Sequence, residues 1–324
     1  MIGNMLSVLV LLFVVFGLQM QFGMIKIAVC QVMPYLLIVF FIVYNINNLN
    51  PEFKILSFRD FDISLLLKFI IKPSLHFFLI TISVMVLIQG TIQVVGILYG
   101  SAMVVVFSTL RTIVNLNKQM LSIFTFSAWP EIIRLDAEKN YDKLFILIKI
   151  LIRTILSLLF ISIVLLHFYG ENIYEFWLGK RIAFNQLYMD LFLIYMFQSV
   201  FWVSLSHLLM ATNRHIILSW IMFAATLLTI ALSYIFGKYF GLSGVIIAMI
   251  ICELALPFWI VPYLVHKYQN IFSLRFFLNE LIPIIGGIVC ILMFPLSIPF
   301  VFVMLFFWWR RCLPKGYEWI KKLV

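Results

Sequence analysis

Apolar runs of 16 to 29 residues, parted by short polar breaks, follow one another from residue 5 to residue 313. A helix that crosses a hydrocarbon core of about 30 Å needs roughly 17–25 such residues. The pattern predicts ten membrane-spanning helices, at 5–21, 23–45, 73–97, 101–129, 144–169, 185–212, 215–236, 242–265, 277–296 and 298–313. Strict alternation of apolar and polar positions, the mark of a transmembrane barrel, is absent. The predicted class is therefore all-α, a polytopic membrane helix bundle.

Composition agrees with the pattern: 65% of the 324 residues are hydrophobic, 11% are charged and the mean hydropathy is +1.13. The net charge of +10 raises the question of a nucleic-acid partner, and its distribution answers it. With a cytoplasmic amino terminus, seventeen Lys and Arg fall on the cytoplasmic side, among them Lys54, Arg59, Lys68, Lys72, Arg134, Lys149, Arg153 and Arg214. Only Lys180, Arg181 and Lys238 fall outside, while Lys26, Arg111 and Lys118 lie within spans. The positive-inside rule accounts for this excess, places both termini in the cytoplasm and leaves no need for nucleic acid. Cys30, Cys252, Cys290 and Cys312 lie in or beside spans without CxxC spacing, so neither a disulfide framework nor a metal site is indicated. The first span has no cationic flank ahead of it and no small-residue cleavage site behind it, and reads as an anchor rather than a removable signal.

The connections are short. NINNLNPEFKILSFRDFDISLLLK reads as an amphipathic stretch at the cytoplasmic interface, and EIIRLDAEKNYDK as a loop after the fourth span. GENIYEFWLGKRIAFNQ is the one exterior loop of any size, with Tyr174, Trp177 and Tyr188 suited to the headgroup layer. None is long enough to carry a soluble catalytic domain.

The fourth span is the unusual one. Ser108, Arg111, Asn115, Lys118 and Ser122 recur at spacings of three and four, which places them on one face of a helix. An ionised group at the bilayer centre costs about 2.5–3.5 kcal/mol on insertion scales, so a stripe with two of them should face a cavity or a partner rather than lipid. The alternative is snorkelling to the cytoplasmic surface. Lys118 stands roughly 11 residues, about 17 Å of helix rise, from Pro130, which favours the cavity. Gln89 and Gln93, one turn apart on the third span, are candidates for the same cavity, with interhelical hydrogen bonding as the competing role. Glu253 reads as the lone carboxylate deep in a span, either pairing with Arg111 or Lys118 or carrying a coupling proton. Gly96 and Gly100 suit close helix packing, His207 suits hydrogen-bonded packing, and Pro257 and Pro262 would bend the eighth span.

VVFGLQMQFGMIKIAV and YIFGKYFGLSGVIIAM share Phe16-Gly17 with Phe236-Gly237, and Ala28 with Ala248, at one offset. The pairs stand six spans apart, an echo of the duplicated halves common in transporters.

Together, VVVFSTLRTIVNLNKQMLSIFTFSAWPEIIRLDAEKNYDKL, FYGENIYEFWLGK with its Trp-Leu-Gly, and GLSGVIIAMIICE resemble the bacterial polysaccharide transporters. These are the O-antigen flippases, within the larger multidrug/oligosaccharidyl-lipid/polysaccharide exporter group. The resemblance covers nearly the whole chain. It implies two six-helix lobes facing each other across a cavity, often with two further helices. On that plan residues 1–50 hold the last two helices of the first lobe and 51–72 an interfacial connector. Residues 73–268 then form the second lobe, and 269–324 the extra pair with a cytoplasmic tail. The first four helices are missing, so the chain is expected to be an incomplete transporter.

The resemblance also implies a substrate, an undecaprenyl-pyrophosphate-linked oligosaccharide, moved across the bacterial inner membrane by alternating access, with other polysaccharide assembly proteins as partners. Arg111, Asn115, Lys118, Gln89 and Gln93 would bind it, without a cofactor and without catalysis. Arg binds phosphate bidentately and Lys adds a point charge. A multidrug cation antiporter of the same fold is one rival, although it would want more acid in its cavity. A membrane polymerase or acyltransferase is the other, although it would want a catalytic constellation that lone His207 does not make.

Overall fold

The computed structural model describes residues 70–179, 182–269, 278–283 and 285–287, with positions 10, 14–16, 20, 23, 29, 32–35, 40 and 41 nearer the amino terminus. The chain divides into two compact units, Met1–Leu67 and Lys68–Val324, the boundary falling inside the predicted connector 51–72. In the first unit, residues 14–16, 32–35 and 40–41 are helical. Gly17 and Ala28, two of the three amino-terminal positions of the internal echo, lie outside the described residues, as do most of the connector and the tenth predicted span.

The second unit is built from α1 (Lys72–Tyr99), α2 (Ser101–Ala137), α3 (Tyr141–Leu178), α4 (Gln186–Ala211), α5 (Ile216–Ala255) and α6 (Pro257–Gln269). No strand occurs among the described residues. Among the described residues, four helices are long and apolar enough to cross a membrane: α1, α3, α4, and α5 continued through α6. The polar stripe interrupts the apolar run of α2. Helix α4 sits at the centre, packed against α2, α3, α5 and α6, while α1 lies along α5. Its neighbours bury Met189, Phe192, Met196, Leu205 and Leu209 completely, with Phe192 against Phe107 of α2 at 5.4 Å between ring centroids.

Local chemistry sets the helix ends. Asn140 and Asn185 cap α3 and α4, their side chains accepting from the backbone N–H of Lys143 and Tyr188, as residues with short polar side chains do at N-caps. Pro73 occupies the first turn of α1, where its missing N–H is harmless.

Several sequence expectations are corrected. Pro130 does not close its helix: α2 runs through it to Ala137, so EIIRLDA is helix rather than loop. The carbonyl that Pro130 leaves without its donor belongs to Phe126, on an exposed stretch of the helix. That projecting end is tied down by polar contacts. Arg134 donates to Glu131 at 2.6 and 2.9 Å and to Glu138 at 3.0 Å, and its guanidinium holds the Glu131 carboxyl below the ordinary carboxylate range. Arg214 reaches Asp136 at 3.5 Å and donates to the Tyr268 carbonyl at 2.8 Å. Likewise GENIYEFWL is the last two turns of α3 rather than an exterior loop. Tyr174 is 0% exposed and shares a 3.0 Å hydrogen bond with Thr109 of α2, so it belongs to the core, not to the headgroup layer.

Gly96 and Gly100 are not a helix-packing pair. Gly100 breaks α1 from α2 at φ 81°, ψ 180° and donates to the Gly96 carbonyl, a conformation essentially reserved for glycine. The close approach is made by Gly90 and Gly237 instead. A Cβ at Gly90 would stand 2.5 Å from Ile230 Cδ1, and one at Gly237 2.6 Å from Leu98 Cδ1. Tyr99 donates its hydroxyl to the Gly237 carbonyl.

The predicted spans 215–236 and 242–265 are joined within α5 by a reversal at Gly241, φ 66°, ψ −156°. Nothing crowds Gly241, so its requirement is conformational. Gly241→Ala is expected to cost about 1–3 kcal/mol, read as a lower thermal midpoint in detergent. Gly237→Ala meets Leu98 instead and should loosen α1 from α5.

Arg153, counted above among cytoplasmic cations, and Glu280, not singled out at all, are both buried. Arg153 donates to Glu280 through Nε at 2.6 Å and Nη2 at 2.7 Å, and Glu280 is 2% exposed. Glu253 is therefore not the lone carboxylate inside the bundle.

Candidate functional site

The stripe on α2 runs along the margin of its buried face rather than down the middle of it. Arg111 is the most enclosed member at 4% exposure. Its Nη1 donates to Thr91 Oγ1 at 2.6 Å and to the Ile88 carbonyl at 3.2 Å, both on α1. The guanidinium stands 5.7 Å from the Phe107 ring centroid, and Nε has no partner among the described residues. Thr91 can serve because its hydroxyl also bonds back to the Leu87 carbonyl, which fixes its lone pairs toward Arg111.

Lys118 lies two turns further along α2, about 10 Å by helix rise. It is half-buried, and its Nζ sits 4.7 Å from the centroid of the Tyr195 ring on α4. Such a cation–π contact holds a desolvated ammonium without neutralising it. Asn115, between the two cations, and Ser108 and Ser122 at the ends, are also half-buried.

Glu253 comes from the second arm of α5. Its carboxylate accepts a hydrogen bond from Ser199 of α4, the Oγ lying 2.8 and 2.7 Å from the two oxygens. Neither Arg111 nor Lys118 makes an ion pair with it. It nevertheless lies within electrostatic reach of both cations and of Tyr195, and the Trp202 indole, whose Nε1 has no partner among the described residues, stands beside it. The arrangement is a row across α4: cations of α2 on one side, the carboxylate of α5 on the other, Tyr195 and Ser199 between them. Charges separated in this way in a low-dielectric bundle still interact strongly, while each remains open to another partner.

Gln89 and Gln93 are exposed and point away from the face of α1 that carries Thr91. The structure thus brings together Arg111, Lys118 and Glu253, sets Asn115 beside them, and leaves the two glutamines apart. His207 packs against Phe126 and Trp129 at 4.7 and 5.9 Å between centroids. Tyr195, Ser199 and Thr91 were missed by sequence reasoning. The spacing of four between Tyr195 and Ser199 was a usable signal, since it puts both on one face of α4.

Comparison with known protein families, with curated proteins and with solved structures finds no match to this chain.

Proposed function

We propose that this chain moves an anionic lipid-linked oligosaccharide, of the undecaprenyl-pyrophosphate class, across the bacterial inner membrane by alternating access, as part of a two-lobed transporter resembling the O-antigen flippases. The observation that carries the proposal is Lys118. It is a cation inside an apolar bundle that is held by an aromatic ring rather than by a carboxylate, and so keeps its charge available for a phosphate. Arg111, two turns away, retains a donor without a partner among the described residues, and Asn115 adds an amide between them. Glu253 balances the pair from across α4 when no substrate is present.

The test is export in a flippase-deficient strain carrying the transporter of which this chain is the whole or a part. Lys118→Ala is expected to lower surface polysaccharide about tenfold or more, the loss of one charge-assisted contact, with protein level unchanged. Lys118→Arg should retain most of it. Normal export from Lys118→Ala would remove the basis of the proposal. A second reading, proton-coupled export of organic cations, draws on Glu253 and its Ser199 contact; it requires cation efflux that Glu253→Gln abolishes and Lys118→Ala spares.

A further inference from the structure

Lys118 and Glu253 make no ion pair, although each is close enough to feel the other's charge. In a bundle of low dielectric such a pair gains strongly by closing, and a lysine, with its charge on a flexible four-carbon stem, is suited to close it. Arg111 is not, because Thr91 and the Ile88 carbonyl hold its guanidinium toward α1. What keeps Lys118 from Glu253 is to be sought in the side chain that meets both.

That side chain is Tyr195. The face of its ring takes the Lys118 ammonium at 4.7 Å from the centroid, and its hydroxyl stands toward the Glu253 carboxylate. Tyr195 is 3% exposed, so packing leaves the ring little room to swing out of the row. The carboxylate has partners of its own that carry no charge. Ser199 donates to it, and Trp202 Nε1, without a partner among the described residues, stands beside it. Tyr195, Ser199 and Trp202 follow one another at spacings of four and three, on one face of α4. One helix therefore supplies the ring for the cation and the donors for the carboxylate, and neither charge needs the other.

We infer that Tyr195 is a positioning residue, a spacer whose ring holds Lys118 off Glu253 and so keeps the ammonium open to an anionic ligand. The consequence for the ligand rests on the reading that Lys118 meets a phosphate, whereas the spacing itself does not. With the ring replaced by a flexible aliphatic chain, Lys118 closes onto Glu253. If that pair leaves about a tenth of the molecules open, the apparent affinity for an anion falls about tenfold, because affinity scales with the competent fraction.

The experiment uses the full chain in detergent and has two arms. In the first, without ligand, the coupling between Lys118→Met and Glu253→Gln is read from the thermal midpoints of the single and double variants, in the native background and again with Tyr195→Met. Tyr195→Met is expected to raise that coupling about twofold or more, as a separated pair becomes a contact pair. Tyr195→Phe, which keeps the ring, is expected to leave it as it was. Unchanged coupling with Tyr195→Met overturns the inference. So does coupling raised by Tyr195→Phe, a variant of nearly the same shape that keeps the test decisive where Tyr195→Met fails to fold. In the second arm inorganic pyrophosphate is titrated by calorimetry. Tyr195→Met should bind it about tenfold more weakly than wild type, and Tyr195→Phe within about twofold. Adding Glu253→Gln to Tyr195→Met should remove most of the loss, because Lys118 then has no carboxylate to close on. A tenfold loss that persists there marks a packing defect and overturns the spacer. If the wild-type chain binds no pyrophosphate, or Lys118→Ala binds it equally well, the Lys118 reading falls and the first arm alone decides whether Tyr195 is a spacer.

Discussion

Glu280→Gln is expected to lower the stability of the bundle by about 3–5 kcal/mol, because it removes the carboxylate charge that two short contacts hold against a buried guanidinium. Arg153 stands on the fourth turn of α3, and Glu280 belongs to a helical stretch of which residues 278–283 are described. Two donor contacts at 2.6 and 2.7 Å between groups this enclosed satisfy the geometric condition under which such a pair offsets its own desolvation. Removing either charge does not. A loss of that size takes a large share of a marginal stability of about 5–15 kcal/mol. It should appear as a collapse of the monodisperse peak in size-exclusion chromatography and a fall in thermal midpoint. The paired substitution Arg153→Met with Glu280→Leu removes both charges and should recover wild-type stability or exceed it, as apolar replacements of buried ion pairs often do. If Glu280→Gln is as stable as wild type, the pair does not hold this stretch to α3.

These two residues also show where sequence reasoning stops. Apolar run length located α1, α4 and the two helical runs on either side of Gly241 to within a few residues, because span length is set by the bilayer and hardly by tertiary context. It misplaced the ends of α2 and α3. Pro130 reads as a stop, yet a proline removes one hydrogen bond, not a helix, and the salt bridges of Arg134 sustain the turns beyond it. Charge counting could not show that Arg153 is buried and paired, since the rule sums over flanks and cannot see a partner 127 residues away. Glycine spacing suggested Gly96 and Gly100 as a packing pair. Whether a glycine serves contact or conformation depends on φ, which composition does not carry. The stripe itself was legible, for it depends only on helical periodicity: Arg111 and Lys118 do face the bundle. What Arg111 touches was not legible, because Thr91 and the Ile88 carbonyl are ordinary helix constituents made special by position.

The second large effect is expected at Glu253, where stability and transport can be separated. Glu253→Gln keeps an oxygen to accept from Ser199 but removes the only carboxylate charge that, among the described residues, reaches Arg111 and Lys118. Because the carboxylate and the cations are not in contact, the loss should be smaller than for a broken buried pair, about 1–3 kcal/mol, within the range of coupling between neighbouring sites. Adding Lys118→Met removes the surplus positive charge. The double variant should therefore be more stable than Glu253→Gln alone, with a coupling energy of about 1–2 kcal/mol in the stabilising direction. Export should follow a different order. Glu253→Gln retains the cations that would meet a pyrophosphate and should keep part of its transport, whereas the double variant, though restored in stability, should have none. That crossing of the two readouts is the signature of a carboxylate that serves as a stand-in counter-charge. If Glu253 instead carries a coupling proton, Glu253→Gln should be as stable as wild type and its residual export should no longer respond to collapse of the proton gradient. Thermal midpoints of the three variants, with polysaccharide export measured in the presence and absence of a protonophore, decide between the two roles.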